Sequence, residues 1–254
     1  METGAITQYV DVAQIVLYLF WAFFAGLIYY LVRENHREGY PMDPGRDNGP
    51  KVEGWPPVPS PKSFHTMDGH TYLAPDLQRP DGEYSAQPMH RFNGAPLEPV
   101  GDPLLAGVGP GAWAMRADRP DADPHGAPKI VPLRVAPDHG VAKKDVDPRG
   151  LPVLGADGEV AGTVTDLWVD RMEMMFRYIE VEVAGSGRHV LLPTTFARIK
   201  RDGITVHALL AHQFANVPAT RSPEQITLLE EEKITAYYGA GTLYATPERQ
   251  EPIL

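Results

Sequence analysis

VAQIVLYLFWAFFAGLIYYLV, residues 12–32, is the stretch that decides the organisation of this chain. The run carries no charged side chain, and Gln14 is its only strongly polar residue. An α-helix rises about 1.5 Å per residue, so a helix of this length crosses a hydrocarbon core of roughly 30 Å. The sequence therefore predicts one transmembrane helix over residues 12–35, near the start of the chain.

Two alternatives to a membrane span are disfavoured for the apolar run. A cleaved signal peptide begins with basic residues and has a shorter apolar core, whereas residues 1–11 (METGAITQYVD) contain no Lys or Arg. A buried core helix of a globular domain has a polar face, and this run has none.

The charges on the two flanks of the run predict its orientation. Acidic residues precede it, and the basic residues Arg33, Arg37, Arg46 and Lys51 follow it. Because positive flanks stay in the cytoplasm, the tail over residues 1–11 is predicted to lie outside and the large C-terminal part inside. Tyr30, Arg33 and Tyr40 fall near the depth of the cytoplasmic headgroups, which makes them candidates for contact with membrane lipids.

Composition excludes several classes of protein. The net charge of −10 disfavours a nucleic-acid partner, which requires a basic surface. The chain has no cysteine, so it has no disulfide framework, thiolate catalysis or Cys-ligated zinc. Its 26 prolines and 24 glycines are typical of extended chain, turns and short strands.

Residues 36–128 are rich in proline and glycine and contain few regular patterns. Aromatic residues, among them Trp55, Phe64, Tyr72 and Trp113, are spread along them, although disordered segments are usually poor in aromatics. We therefore expect an extended segment that lies on the membrane or on a partner, rather than a disordered linker.

Residues 129–254 have the patterns of short strands. In FRYIEVEV (176–183), apolar and acidic residues alternate with a period of two. Asp-Gly pairs at 157–158 and 202–203 lie between apolar runs and predict two hairpins. Ser222 and Pro223 predict the start of a short C-terminal helix. The predicted fold class is one N-terminal transmembrane helix, an extended surface segment and a mainly antiparallel β domain.

Familiar catalytic motifs are absent from the sequence, which contains no GxSxG, Walker A or HExxH. The glycines of 107–111 predict a loop rather than a phosphate site, since Pro110 interrupts them. The nine histidines are scattered without ligand spacing. A membrane-tethered hydrolase is therefore disfavoured, because catalysis needs a nucleophile and a base in mutual reach.

Asp123 and His125 form the first candidate group for handling protons. A carboxylate and an imidazole two residues apart at a loop can share a proton or weakly hold a divalent ion. The alternative is that they are two exposed polar residues without a function.

Glu173 is the centre of the second candidate group, in DLWVDRMEMMFR (166–177). It lies among Trp, Met and Phe residues, with Asp170 and Arg177 nearby. Apolar surroundings raise a carboxyl pKa and a guanidinium lowers it, and that balance suits a proton carrier. The alternatives are a strand-end turn with a surface salt bridge and methionines that pack against a partner.

Several blocks of the sequence resemble the H subunit of the purple-bacterial photosynthetic reaction centre. They follow in order over nearly the whole chain, and residues 42–100 match least well. The blocks include GLIYYLVRENHREGYP (26–41), GDPLLAGVGP (101–110), AGTVTDLWVDR (161–171) and LLEEEKITAYYGAGTLYATPER (228–249). The resemblance implies one transmembrane helix, an extended surface stretch and a cytoplasmic domain of the PRC-barrel type over residues 129–254.

The resemblance also implies a function. In this family the H subunit is a structural subunit without its own active site. It caps the L and M subunits on the cytoplasmic side and helps protons reach the secondary quinone. The complex, and not this chain itself, carries bacteriochlorophyll, bacteriopheophytin, quinones and non-haem iron. It lies in the bacterial inner (chromatophore) membrane, with the tail of this subunit periplasmic. Light-harvesting antenna polypeptides and a cytochrome subunit are further candidate partners.

The resemblance assigns roles to both candidate groups. Asp123 and His125 align with the point of proton uptake, where a weak inhibitory metal site is also implied but no native one. Glu173 aligns with an inner carboxylate, and Asp170 and Arg177 with its charged neighbours. Where some relatives have a second histidine at the uptake point, this chain has Ala127. The alternative function is a membrane-tethered PRC-barrel adaptor or assembly factor without pigment partners.

Overall fold

A computed structural model describes residues 6, 11–42, 51–67, 69–76, 84–92 and 94–250. Most of the predicted tail over residues 1–11, parts of the predicted extended segment and the last four residues lie outside the described ranges. The chain forms two compact units, one of Met1–Pro80 with His90–Ala95 and one of Asp81–Met89 with Pro96–Leu254. The second unit therefore includes residues 96–128, which the sequence assigned to the extended segment.

The first helix, α1, spans Val12–Asn35. Its N-terminus is capped by Asp11, whose side chain accepts a hydrogen bond from the backbone amide of Gln14 at 2.7 Å. None of its residues is buried within the described chain, although the helix is long and apolar enough to cross a membrane. An exposed apolar surface all round a helix suits a lipid environment, so α1 fits a membrane anchor.

The C-terminal end of α1 is tied to a small hairpin of the same unit. The hairpin consists of β1 (Lys62–His65) and β2 (Thr71–Ala74), which pair antiparallel. Arg37 donates hydrogen bonds to the carbonyls of Ser60 and Ala74 and to the carboxylate of Glu34. One guanidinium thus connects the end of the helix to the chain entering β1 and to the last residue of β2.

The second unit contains a two-stranded ribbon and a seven-stranded sheet. The ribbon pairs β3 (Ala86–Pro88) with β4 (Leu97–Pro99). The sheet consists of β5 (Ile130–Pro132), β6 (Pro152–Leu154), β7 (Val160–Asp170), β8 (Met175–Val183), β9 (His189–Pro193), β10 (Ala197–Lys200) and β11 (Gly203–Val206). Its strand order is β10-β11-β6-β7-β8-β9, with β5 also paired to β7. All of these pairs are antiparallel except β11 with β6, so the prediction of a mainly antiparallel β domain is confirmed.

Both predicted hairpins are present. Asp157 and Gly158 lie in the turn from β6 to β7. Asp202 lies in the turn from β10 to β11, and Gly203 is the first residue of β11. Gly158 has a φ of 80°, a conformation that residues with a Cβ rarely adopt. The Asp-Gly pairs therefore correctly marked where the chain reverses.

The alternation predicted for β8 holds with one exception. Ile179, Val181 and Val183 are buried in the core, and Glu182 is exposed on the other face. Glu180 lies on the same face as Glu182 but is only 6 % exposed. A buried carboxylate needs partners, and the side chains that pair with Glu180 line a cleft in the second unit.

The C-terminal helix, α2, spans Leu228–Tyr244 and is longer and begins later than the sequence suggested. Thr227 caps it: its hydroxyl accepts from the amide of Glu230, and the Glu230 carboxylate accepts from the amide of Thr227. This reciprocal pair satisfies two free amides, and Pro223 therefore stays in the preceding loop. Ile234 and Tyr238 are buried within the core of the second unit.

The glycine-rich loop near residue 110 packs closely on α2. A Cβ on Gly239 would lie 2.4 Å from the carbonyl oxygen of Pro110, and one on Gly111 would lie 2.8 Å from the Cβ of Ala240. Gly109–Gly111 form a short 3-10 helix, and the glycines permit close contact between its backbone and that of α2.

Candidate functional site

The turn between β7 and β8 presents the second candidate group. Asp170 ends β7, and its side chain is only 6 % exposed. Its Oδ1 accepts hydrogen bonds from the backbone amides of Met172 and Glu173, each at 3.0 Å. The buried carboxylate therefore shapes the turn, while Glu173 projects from it.

Asp170, Glu173 and Arg177 are brought together, as the sequence suggested. The Nη2 of Arg177 lies 2.5 Å from Oε2 of Glu173, and its Nε lies 3.5 Å from Oδ2 of Asp170. One guanidinium therefore lies between two carboxylates, one buried and one on the surface. The Glu173 side chain is 57 % exposed.

The methionines around Glu173 do not bury it within this chain. Met172, Met174 and Met175 are all exposed, Met174 by 72 %. Met174 also has a φ of 55°, an unusual value for a residue with a Cβ. The apolar environment expected for Glu173 thus requires a second molecule, and three exposed methionines form a surface suited to covering by one.

Asp123 and His125 form a tight turn. Oδ1 of Asp123 accepts from the backbone amides of His125 at 2.8 Å and Ala127 at 2.9 Å. The bond from Ala127 is the main reason that the pKa of Asp123 lies below its ordinary value. The imidazole of His125 is exposed. Among the described residues, His, Cys, Asp and Glu do not form any group of three or more that could hold a metal ion.

Arg171 connects the two candidate groups. Its backbone amide donates to the carbonyl of Lys129, and its guanidinium donates to the carbonyl of Pro128. One guanidinium nitrogen lies 3.9 Å from Oδ2 of Asp123. Because β5 pairs with β7 so that Ile130 lies opposite Asp170, the turn of Asp123 reaches the same edge of the sheet as the turn of Glu173.

Lys129 adds a positive charge at this edge. Its Nζ lies 2.7 Å from Oδ2 of Asp121, and this hydrogen bond is the main reason that its pKa is raised. Asp170 and Glu173 also raise it through their charges. The edge therefore carries acidic and basic side chains in close succession.

Glu231 is a half-buried acid that the sequence analysis did not single out. The hydroxyl of Tyr178 donates to its Oε2 at 2.9 Å. Burial raises the pKa of Glu231, although Tyr178 and the charges of Arg116 and Arg177 act to lower it. A signal was available: the capping box at 227–230 fixes the helix start, which places Glu231 on the face of Ile234 and Tyr238.

A second group missed at the sequence level surrounds Glu180. Its Oε2 accepts from Nη1 of Arg134 at 2.7 Å and from Nε1 of Trp168 at 2.8 Å, and its Oε1 lies 2.9 Å from Nδ1 of His189. Nη1 of Arg134 also donates to Oδ2 of Asp166 at 3.1 Å. Burial acts to raise the pKa of Glu180, but these donors outweigh it and hold that pKa below its ordinary value. The alternation of β8 concealed this group, because Glu180 has the pattern of an exposed residue.

The three membrane-interface candidates lie around the end of α1. Tyr30 and Arg33 are exposed on the helix, and Nζ of Lys62 lies 5.8 Å from the centre of the Tyr30 ring. Tyr40 is half-buried and stacks on His36, with ring centres 4.0 Å apart. The arrangement places aromatic rings and positive charges next to each other at the end of the anchor helix.

Comparison with known families agrees with this architecture. The sequence model of the PRC-barrel domain matches residues 141–213, which contain β6 to β11. The protein is therefore a PRC-barrel protein with an apolar N-terminal helix that fits a membrane anchor.

A second match is more specific. The sequence model described as photosynthetic reaction centre, H-chain N-terminal region matches residues 4–135, just over half of the chain. The chain belongs to the photosynthetic reaction centre H-chain family. This membership implies a structural subunit that associates with the L and M subunits and does not itself bind pigment.

Proposed function

We propose that this chain caps the cytoplasmic face of the L and M subunits and assists proton delivery to the secondary quinone during light-driven electron transfer. The observation that carries the proposal is the shared edge of the sheet, where Arg171 connects the turn of Asp123 with the turn of Glu173. Family membership supplies the setting, since a reaction centre H-chain associates with L and M.

The chemistry of the task explains why these residue types are needed. A quinone that is reduced twice takes up two protons, and a bare proton does not cross a dry protein interior. His125 is exposed at the surface and carries the side chain type that ordinarily changes charge near neutral pH. In the proposed path, His125 and Asp123 collect protons and Glu173 passes them inward. Arg177 keeps Glu173 in place, and Asp170 shapes the turn.

The exposed methionines support the capping role. Met172, Met174 and Met175 surround Glu173 and are left uncovered by this chain. A partner that covers them would also remove Glu173 from water, which is the environment a proton carrier to a buried quinone needs. The cofactors of that complex, which are bacteriochlorophyll, bacteriopheophytin, quinones and non-haem iron, would lie in the partner chains.

The proposed location is the bacterial inner (chromatophore) membrane, with the N-terminus periplasmic and the β domain cytoplasmic. The basic residues after the apolar run support this orientation. Membrane lipids at Tyr30, Arg33 and Tyr40, antenna polypeptides and a cytochrome subunit are further proposed partners. A divalent ion at Asp123 and His125 would bind weakly, because Oδ1 of Asp123 already accepts two amides and Ala127 offers no second imidazole.

The test of proton delivery is the substitution Glu173→Gln in the intact complex. The amide keeps the size of the side chain but cannot carry a proton, so flash-induced second reduction of the quinone should slow at least about tenfold near neutral pH. The matched control is Glu182→Gln, an exposed glutamate on β8 outside the candidate group, which should leave the rate unchanged. Equal rates in all three proteins between about pH 6 and pH 9 would refute the role of Glu173.

The test of complex membership comes first and is independent of any variant. The chain, tagged and purified from its native membranes in mild detergent, should bring down bands of bacteriochlorophyll and bacteriopheophytin that bleach reversibly in light. A colourless preparation of the intact chain would instead favour the adaptor or assembly factor and remove the basis for the proton path.

A further inference from the structure

We infer that the cleft around Arg134 and Trp168 binds a small molecule with an apolar body and a carboxylate head group. This inference is independent of the proposed function, because none of the residues that line the cleft belongs to the two proton-handling groups. The cleft has a volume of about 650 Å³, within the usual range for small-molecule sites.

The apolar part of the cleft wall comes from strands β7 and β9 and from segments next to the sheet. Leu133, Trp168 and Leu191 are buried in the core, with Trp168 only 1 % exposed, and Pro223 lines the opposite loop. These side chains suit an aliphatic or aromatic ligand body, because the body leaves water and makes dispersion contacts with them.

Each of the two carboxylates in the cleft already interacts with three donors, which leaves about one of its four acceptor sites for a cationic ligand. Glu180 already interacts with Arg134, Trp168 and His189. Asp166 accepts from Nη1 and the backbone amide of Arg134 and from the amide of Leu167. Both side chains are only 8 % exposed, so they lie behind their partners. Their structural effect is to fix the donors in position.

The free hydrogen-bonding capacity of the cleft consists largely of donors. Arg134, which is 38 % exposed, uses Nη1 and part of Nη2, leaving Nε–H without an acceptor among the described residues. Arg149, which is 44 % exposed, pairs with Asp147 through Nε and Nη2. Its Nη1 has no acceptor among the described residues. Donors held in place by buried partners match a carboxylate, which accepts at both of its oxygens.

The charges of the cleft limit the choice of ligand further. Among the lining residues, the two guanidinium groups are balanced by Asp166 and Glu180. Long-range attraction is therefore weak, and recognition depends on contact geometry. His189 is 51 % exposed at the rim, and its Nδ1 faces Glu180. Its Nε2 becomes a further donor when the ring is protonated.

The experiment compares three probes that share one apolar body: 4-phenylbutyrate, 4-phenylbutanol and 4-phenylbutylamine. The full chain is held in phosphatidylcholine nanodiscs with labelled leucine methyl groups. We expect 4-phenylbutyrate to shift the Leu133 and Leu191 methyl resonances, the alcohol to bind about tenfold more weakly, and the amine to leave both unchanged. Equal shifts by all three probes would show non-specific apolar binding and overturn the inference, as would no shift by the carboxylate.

The variant Arg149→Gln tests the head-group assignment without breaking the buried network. The ion pair of Arg149 is with Asp147, on the surface and two residues away, so the domain should stay folded, and methyl spectra of the free protein measure whether it does. We expect the dissociation constant of 4-phenylbutyrate to rise about fivefold. The matched control Arg198→Gln lies on an exposed part of β10 outside the cleft and should leave the constant unchanged. An unchanged constant in Arg149→Gln would refute a carboxylate held by this guanidinium.

Discussion

The turn of Glu173 and the cleft of Glu180 have the same chemistry in different surroundings. In each, one arginine lies between two carboxylates: Arg177 between Asp170 and Glu173, and Arg134 between Asp166 and Glu180. The two glutamates differ in their exposure to solvent. The side chain of Glu173 is 57 % exposed, whereas the side chain of Glu180 is 8 % exposed and also accepts from an indole.

Burial, and not the ion pair itself, decides what each of these salt bridges does. A buried carboxylate that loses its partners leaves an uncompensated charge, so the cleft is part of the fold. An exposed pair is screened by water and contributes little to stability, so the turn is free to exchange protons or meet a partner. Substitutions of Glu180 should therefore change the stability of the protein far more than substitutions of Glu173.

The largest expected loss of stability comes from Glu180→Ala. It leaves the guanidinium of Arg134 and the indole N–H of Trp168 without their acceptor, which should lower the free energy of unfolding by about 3 kcal/mol. Urea denaturation of the full chain in detergent, followed by tryptophan fluorescence, measures it. Glu182→Ala, two residues along the same strand but exposed, is the control and should stay within about 0.5 kcal/mol of the parent. A loss as small as that of the control would mean that the cleft is no more structural than the turn.

The structural role of Glu180 should also appear in the pH dependence of stability, because its pKa differs between the folded and unfolded states. The pKa of Glu180 is below its ordinary value in the folded state, so the charged form stabilises the fold above the unfolded pKa. This stability is lost as the pH falls through the lower folded pKa, below about pH 4.5. The thermal midpoint should be measured at about pH 7 and at about pH 3.5. Its decrease between the two pH values should be larger for the parent than for Glu180→Gln, which lacks this titration. An equal decrease of the thermal midpoint in the two proteins would show that groups other than Glu180 cause the acid sensitivity.

The smallest expected effect is that of Glu173→Ala on stability. Its contact with Arg177 is exposed, and Asp170 remains to hold the turn through two backbone amides. The free energy of unfolding of the isolated chain should change by less than about 0.5 kcal/mol. The same urea titration measures it, and a loss above about 1.5 kcal/mol would make Glu173 a structural residue and weaken the contrast with the cleft.

The fold was predictable where a local pattern has one physical solution. An uncharged run over residues 12–32 has to be a helix in an apolar environment, and Asp-Gly between apolar runs has to turn. The start of α2 was placed too early because Ser222 and Pro223 also suit a helix start. Only the reciprocal bonds of Thr227 and Glu230 decide between the two positions.

The candidate site was predictable only in part, for a related reason. Asp170, Glu173 and Arg177 are close in sequence, so a tight turn brings them together. Glu180 and Arg134 are far apart in sequence, and their contact depends on how β5, β7 and β8 pair. The partial burial of Glu231 likewise depends on the packing of α2 near Tyr178. Contacts of this kind follow from tertiary structure, which single-residue patterns do not encode.

The pairing of β5 with β7 determines whether the two matched regions could be exchanged between related proteins. Ile130–Pro132 belongs to the stretch matched by the H-chain N-terminal family, yet it is a strand in the sheet that holds the PRC-barrel match. Leu228, at the start of α2, likewise donates its amide to the carbonyl of Arg119 from the earlier stretch. The two matched regions are therefore not interchangeable modules. A chimaera joined between residues 135 and 141 would take β5 from one parent and β7 from the other, and these two strands would still have to pair.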